Sequence, residues 1–412
     1  MMNVKEEFLK FKSWLIAHKD NYQTILAEKP YCIEIKSDFI YNRDLILFKY
    51  NQIESDFSQP FVKLCRGLVL DAHTFDPIVF PFVKFHNFGE IYADNIDWKS
   101  CYVADKIDGS LVKIVRIGND ILIGTNSTID AYKAPLAEQI GCIAKSFGEL
   151  AYFAVLDNYR KACNLSVSDC IDPGCVDSWL KSIIKPGFTY MFELTSPFNK
   201  VVVQWHDIRL NFLGVRNNET FQETYFLDHE LKDIFNTPKV FPLHSIDECI
   251  KAAEQLDCNA EGYVVCDKNF NRVKIKSPTY VALHHMCNNH VMSYTRGIDV
   301  VRQNEISEVV TYFPEFAKHL NDIQEKYNSY VELGKNVEKA VIEWIKQHDY
   351  DNQLWLIQSG GQKRKDYAQF IMKDYKNFSG FAFSFVDNKV VSFEDWINNM
   401  PSKNIAILLG YK

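Results

Sequence analysis

The chain has 412 residues, 47% of them hydrophobic and 24% charged, which is a globular mixture and not a disordered or fibrous one. No stretch approaches the ~18 uncharged apolar residues of a membrane-spanning helix, so no membrane partner is expected. A net charge of −7 argues against coating nucleic acid by bulk electrostatics and leaves room only for a local basic groove.

The opening "MMNVKEEFLKFKSWL" reads as an amphipathic helix without the apolar run or cleavage site of a secretory leader. "RGLVLDAHTFDPIVFPFVKF" reads as two strands around a polar turn. "SLVKIVRIGNDILIGTNS" reads as a hairpin closed at Gly118-Asn119-Asp120. A mostly helical stretch over about 131–183 is interrupted at "DPG", 172–174. Strands return with "GFTYMFELTSP", "KVVVQW", "IRLNFLGVR", "EGYVVCD" and "RVKIKS". Beyond about residue 280 the strand pattern fades. Tyr327, Tyr330, Val337, Val341 and Trp344 fall near helical spacing, although Gly334 weakens that pattern. Eleven scattered cysteines, an odd number, predict free thiols in a reducing compartment. The basic stretch "KRKDYAQFIMKDYK", 363–376, is read as a solvated helix face.

The candidate chemistry centres on "ADKIDGSLV", 104–112. Five further motifs occur around it: "CRGLVL" (65–70), "VKFHNFGE" (83–90), "MFELTSPFNKVV" (191–202), "EGYVV" (261–265) and "VKIKS" (273–277). An amine attacks phosphorus only when neutral, and deprotonating an ordinary lysine at pH 7 costs about 4.6 kcal/mol. Nearby cations lower that cost and nearby carboxylates raise it. Lys274 and Lys276 share one strand face by the period of two, and two ammonium groups aimed at one spot call for an anion. Glu193 and Glu261 sit in otherwise apolar strands, where a buried carboxylate must be paired or hold a metal. Asp105 is expected on the face opposite Lys106. Arg66 offers a planar fork suited to phosphate. "HHMCNNH", 284–290, has a zinc-like spacing in His284, Cys287 and His290, but no fourth ligand is evident and a zinc site is disfavoured.

This motif set resembles the nucleotidyltransferase motifs of ATP-dependent polynucleotide ligases, and its wording resembles the T-even bacteriophage RNA ligase 1 family. The resemblance spans about residues 65–277 and implies an α+β fold. An antiparallel-sheet adenylyltransferase domain with an N-terminal helical and strand extension would occupy 1–284. A mainly helical domain that docks RNA would occupy 285–412. The implied reaction joins RNA 5′-phosphate and 3′-hydroxyl ends through a lysyl-AMP and an adenylylated 5′ end, with nicked tRNA as the leading substrate.

The resemblance implies Lys106 as nucleophile, with Lys274 and Lys276 as catalytic cations. Nucleotide binding falls to Arg66, Lys84, Phe85, His86, Asp108, Gly109, Glu193, Glu261, Gly262 and the two lysines. Metal binding falls to Glu193 and Glu261, with Glu305 of "RQNEISEV" as a further acidic match. ATP is the cosubstrate and Mg²⁺ the metal, with Mn²⁺ as substitute. An end-healing kinase or phosphatase is the expected partner. The expected location is the cytoplasm, and the host cytoplasm if the chain is phage-encoded. There are two departures from the family wording. Phe85-His86 replaces a phenylalanine pair, so either ring is open as the one against adenine. Gly124 and Asn126 stand where the family carries lysine, with Lys113 as a compensating candidate. The rival readings are a related DNA ligase or capping nucleotidyltransferase, and a non-catalytic RNA-binding protein with a decayed nucleotide site.

Overall fold

A computed structural model describes residues 3–52, 54–136, 141–166, 168–199, 203, 205–257, 259–285, 292–348 and 362–411. The chain divides into two compact units, Met1–His284 and His285–Lys412. The architecture is α+β, with sheets in the first unit and helices in the second. Among the described residues no helix is long and apolar enough to cross a membrane, and the described cysteines are free thiols.

The first unit begins with helix Val4–Ala17. Asn3 caps it by accepting from the Glu6 N–H at 3.2 Å, and Phe8, Phe11 and Leu15 form its buried stripe. That stripe packs on a four-stranded antiparallel sheet: β1 (Ile33–Ile40), β2 (Arg43–Tyr50), β3 (Arg66–Asp71) and β4 (Pro77–Val79). A second sheet runs in the order β11-β10-β9-β7-β8. Its members are β7 (Ser110–Ile117), β8 (Asp120–Thr125), β9 (Phe188–Thr195), β10 (Arg209–Asn217) and β11 (Glu223–Tyr225). Helices Phe147–Ala162 and Pro173–Ile183 share a core with it. A third sheet has the order β12-β6-β13-β14-β5, built from β5 (His86–Asn87), β6 (Tyr102–Asp105), β12 (Val240–Phe241), β13 (Gly262–Cys266) and β14 (Arg272–Lys276). Only the β5–β14 pairing among these strands is parallel.

Two readings change. "DPG" starts a helix: Asp172 accepts from the Gly174 N–H at 3.1 Å, and Pro173 occupies the first helical turn, where its missing N–H is harmless. "KVVVQW" is not a strand at its described residues, Val203 and Trp205; both are instead committed to Asp108. Cys287 and His290 of the zinc-like spacing lie outside the described residues.

The second unit packs seven described helices, the longest being Ala317–Gln347. Tyr327, Val337 and Val341 join its core, as their spacing predicts. Gly334, which weakens the helical pattern, has a packing reason: a Cβ there would overlap the Phe393 ring. Replacing this glycine with alanine gains ~1 kcal/mol of helix propensity, but overpacking costs ~1–3 kcal/mol. Gly334→Ala is therefore expected to lower the thermal midpoint by circular dichroism. A raised midpoint would mean that Phe393 moves aside freely.

Candidate active site

Strand register builds the centre. β6 pairs with β13 through Asp105↔Tyr263, and the next residue, Lys106, donates its main-chain N–H to the Gly262 carbonyl at 2.8 Å. β13 in turn pairs with β14, setting Gly262 opposite Lys276 and Val264 opposite Lys274. The Lys106 motif thus stands on the strand next to a hairpin that carries two motifs about 155 residues further on. The Lys106 ammonium donates to Glu261 Oε2 at 2.6 Å, and Lys276 Nζ lies 3.5 Å from Glu261 Oε1. Glu261 is only 4% exposed, so one buried carboxylate is shared by two cations.

Lys106 borders a cavity of about 280 Å³ whose polar wall includes Arg66, Asn126, Glu193, Arg272 and Lys274. Phe82, Phe85, Leu213 and Tyr225 supply apolar surface. Arg66 and Lys274 sit 5.1 and 5.5 Å from the Phe85 ring centroid. Arg66 Nη1 and Asn126 Oδ1 are buried with no hydrogen-bond partner among the described residues. Buried polar atoms are ordinarily paired, so two orphans on one cavity wall mark the place of a polar ligand. Burial pushes the Glu193 carboxyl up to about 7, against the pull of Lys106 and with the help of the negative charge on Glu261. Burial also raises Asp105, which interacts with Lys239; the expected opposite face does not take it out of the site, since it lines the same cavity as Lys106.

The remaining expected site residues divide: Gly109 lines the cavity and Asp108 acts on Glu193, while Lys84, His86 and Glu305 are not in the lining. Asp108 is buried: Oδ2 accepts from the Val203 N–H at 2.7 Å and Oδ1 from the Tyr280 hydroxyl at 3.0 Å. The Trp205 indole N–H donates to its carbonyl at 2.7 Å. Gly109 is there for close approach, since a Cβ would lie 2.5 Å from the Leu194 carbonyl oxygen and 3.1 Å from Glu193 Cγ. Lys84 and His86 are absent from the cavity lining, while Phe85 is on it. Neighbours in extended chain project to opposite sides, and these two fall on the far one. Lys84 lies over the rings of Tyr50 and Phe57, at 5.3 and 4.9 Å. His86 is buried against Phe57, with Nδ1 2.8 Å from Glu90 Oε2. Burial lowers its pKa despite Glu90. Glu305 belongs to the second unit, at the start of helix Ile306–Tyr312.

Lys113 does not reach into the cavity. It is 1% exposed and donates to the carbonyls of Gly67 and Thr125 at 3.1 and 2.5 Å. Gly67 has φ +75°, and a Cβ on it would sit 2.6 Å from Lys113 Nζ and 2.8 Å from Asn126 Cα. The arginine-glycine motif therefore exists partly to let this amine pass beneath Arg66. Burial and then repulsion from Arg66 bring Lys113 down to about 7.

Arg272 is a site residue that motif reading passes over. It stands two positions before Lys274 on one strand face, and that spacing is the signal for it. It lies over Phe82 at 4.5 Å and shares the buried Glu223 carboxylate with Arg216. Taken together, the cavity sets an amine beside an excess of cations on aromatic walls, an arrangement that can bind a polyanion against a lysine nucleophile.

A family model described as RNA ligase matches residues 64–280. The chain belongs to that RNA ligase family. It is 29% identical over 298 residues to a protein of Autographa californica nuclear polyhedrosis virus named as a bifunctional polynucleotide kinase/RNA ligase, covering 69% of this chain and 39% of that one. It is 22% identical over 253 residues to a protein of Thermovibrio ammonificans named as an RNA ligase, covering 58% and 57%. The chain thus spans well under two thirds of the length of either relative. Among solved structures, an archaeal ATP-dependent RNA ligase aligns with a TM-score of 0.42 at 12% identity, covering 77% of this chain and 82% of that one. An ATP-dependent DNA ligase from Aquifex aeolicus aligns with a TM-score of 0.41 at 12% identity, covering 82% and 80%.

Two predictions follow the side-chain placement. Phe85→Ala is expected to weaken nucleotide binding ~5- to 100-fold, the range for one lost stacking contact, while His86→Ala lowers the thermal midpoint and leaves nucleotide affinity near wild type. Titration with ATP by calorimetry separates them, and equal losses in both would contradict the assignment. Lys113 gives a pH signature. The folded chain releases its proton near pH 7, whereas the unfolded chain keeps it until about 10.5. Between those values the unfolded state binds more protons, so this residue's contribution to stability rises with pH. Lys113→Met is expected to be more stable than wild type at pH 7, with the advantage shrinking towards pH 9.5. A constant difference in midpoint would show the amine to be charged throughout.

Proposed function

We propose that this chain is an ATP-dependent RNA ligase in which Lys106 carries AMP. The observation that carries the reading is the Glu261 carboxylate bridging Lys106 and Lys276 at the edge of a cation-lined cavity. Lys106 Nζ attacks the α-phosphorus of ATP, a P–N bond forms, and pyrophosphate leaves. An oxygen of an RNA 5′-phosphate then attacks that phosphorus, breaks the P–N bond and frees the lysine. An RNA 3′-hydroxyl finally attacks the activated 5′-phosphate, and AMP departs.

The amine must be neutral to attack, and in the resting geometry it is engaged by Glu261 Oε2 at 2.6 Å. Attack therefore requires Lys106 to leave Glu261, and Lys276 remains as the cation on that carboxylate. Arg66, Lys274 and Arg272 face the charge that builds on the phosphates. Mg²⁺ needs only one or two carboxylates beside its waters. Glu193 and Glu261 fit that role: they interact electrostatically, and the raised Glu193 would ionise beside a cation. Bound there, Mg²⁺, or Mn²⁺ in its place, would neutralise phosphate charge.

The RNA we infer is a nicked tRNA or similar broken strand with 5′-phosphate and 3′-hydroxyl ends, met in the cytoplasm. The viral relative's name includes a polynucleotide kinase, which supports an end-healing activity upstream of this chain.

The test mixes the protein with Mg²⁺ and ATP labelled on the α-phosphate, then denatures it and looks for label on the chain. Wild type is expected to carry label and Lys106→Ala none. Glu261→Gln is expected to lose on the order of 100-fold in labelling rate, as for removal of one preorganised charge partner. A folded wild type freed of AMP that takes no label would overturn the ligase reading. Retained RNA binding in that sample would favour a non-catalytic RNA-binding protein.

A further inference from the structure

The second unit contains a cavity of about 630 Å³ beside helix Ala317–Gln347, bordered also by Tyr294 and by Leu408, Leu409 and Tyr411. Its walls carry three buried polar atoms with no hydrogen-bond partner among the described residues: His319 Nε2, Tyr330 Oη and Tyr411 Oη. Natively buried groups of this kind are rarely left unpaired, and three on one cavity point to a ligand that supplies partners. The same walls are aromatic. Tyr294 and Tyr411 stack at 4.0 Å and 11°, Lys326 lies 4.5 Å from the Tyr411 ring, and the His319 ring is 4.9 Å from Tyr294. Tyr294 remains 42% exposed and offers ring surface to the solvent side.

Charge decides the ligand's chemistry. Asp322 and Glu325 line the cavity against the single ammonium of Lys326, which is already over a ring. A phosphate would meet more repulsion than attraction. A nucleobase would not: its face stacks on tyrosine, and its edge carries N–H groups for carboxylates. Guanine alone among the RNA bases presents two adjacent donors, N1–H and the N2 amino group, to one carboxylate, with O6 and N7 left to accept from hydroxyl or imidazole groups.

We propose that this cavity captures an unpaired guanine of the RNA, a reading that rests on RNA being the substrate. Recognition is then split within the chain: the first unit's cavity takes phosphate charge, and this one takes a base.

The experiment measures fluorescence anisotropy of the full chain, without ATP, with three short oligouridine RNAs. One has a single central guanosine, one has inosine in its place, and one is all uridine. Wild type is expected to bind the guanosine RNA ~5- to 100-fold tighter than all-uridine, the range for one stacked base, with inosine between them. Tyr294→Ala is expected to abolish the preference. The double variant Asp322→Asn/Glu325→Gln, at exposed positions that leave packing intact, is expected to erase only the guanosine-over-inosine margin. Labelling of Lys106 from α-labelled ATP is run on every sample. Normal labelling with equal binding of all three RNAs, or a preference that survives Tyr294→Ala, would overturn the guanine site and leave the ligase reading standing. A guanosine preference lost in Tyr294→Ala, in a wild type that takes no label, would sustain the base site while the ligase reading fails.

Discussion

Glu261 is the group on which the rest of the first unit depends. It is a nearly inaccessible carboxylate with an ammonium group at each oxygen, Lys106 at 2.6 Å and Lys276 at 3.5 Å. Removing one partner of a buried pair leaves an uncompensated charge, at a cost of ~3–5 kcal/mol. The arrangement is therefore only as secure as the strand register that makes it. β6, β13 and β14 are antiparallel neighbours, and the main-chain bond from Lys106 to Gly262 fixes the end of the first against the start of the second. A one-residue slip of β14 would turn Lys276 away from Glu261 and Lys274 away from the cavity at the same time.

Around that bridge the fold stores positive charge against apolar walls. Arg272 lies on Phe82, Arg66 and Lys274 lie about Phe85, and Lys113 is buried beneath Arg66. Rings tolerate these cations through their faces but do not neutralise them. Lys113 answers by giving up its proton near neutrality, and Arg272 answers by sharing Glu223 with Arg216. Arg66 interacts with the Glu193 carboxylate, yet its Nη1 has no hydrogen-bond partner among the described residues. An anionic ligand would complete this set. The site is thus preorganised in charge as well as in shape.

Residues whose placement depends on local spacing were legible in the sequence. Lys274 and Lys276 share a face because a strand has a period of two, and the helical spacing of Tyr327, Val337 and Val341 led to the second unit's core. The α+β class was implied by the motif resemblance, and the structure has it. Residues whose role depends on distant chain were not legible. Asp108 is held by Val203, Trp205 and Tyr280, which lie 95, 97 and 172 positions away, so its motif neighbours gave no hint that its oxygens were taken. Lys84 and His86 sit beside Phe85 in the same motif, yet a step of one residue along the extended chain takes them off the cavity lining. A motif names a neighbourhood; which of its adjacent side chains faces the ligand is settled by the sheet behind it.

The net charge of −7 gives the two cavities a common logic. A chain repelled on average by nucleic acid gains nothing from bulk attraction, so affinity must come from local sites. The first cavity concentrates cations where phosphate chemistry would occur. The second places carboxylates beside stacked tyrosines, which discourages phosphate and suits a base edge. Under this division an RNA that offers both a phosphorylated end to one cavity and a free base to the other would be held more tightly than one that offers either alone. Affinity would then depend less on salt than for a protein that neutralises a long run of phosphates, because the contribution of the base is not electrostatic.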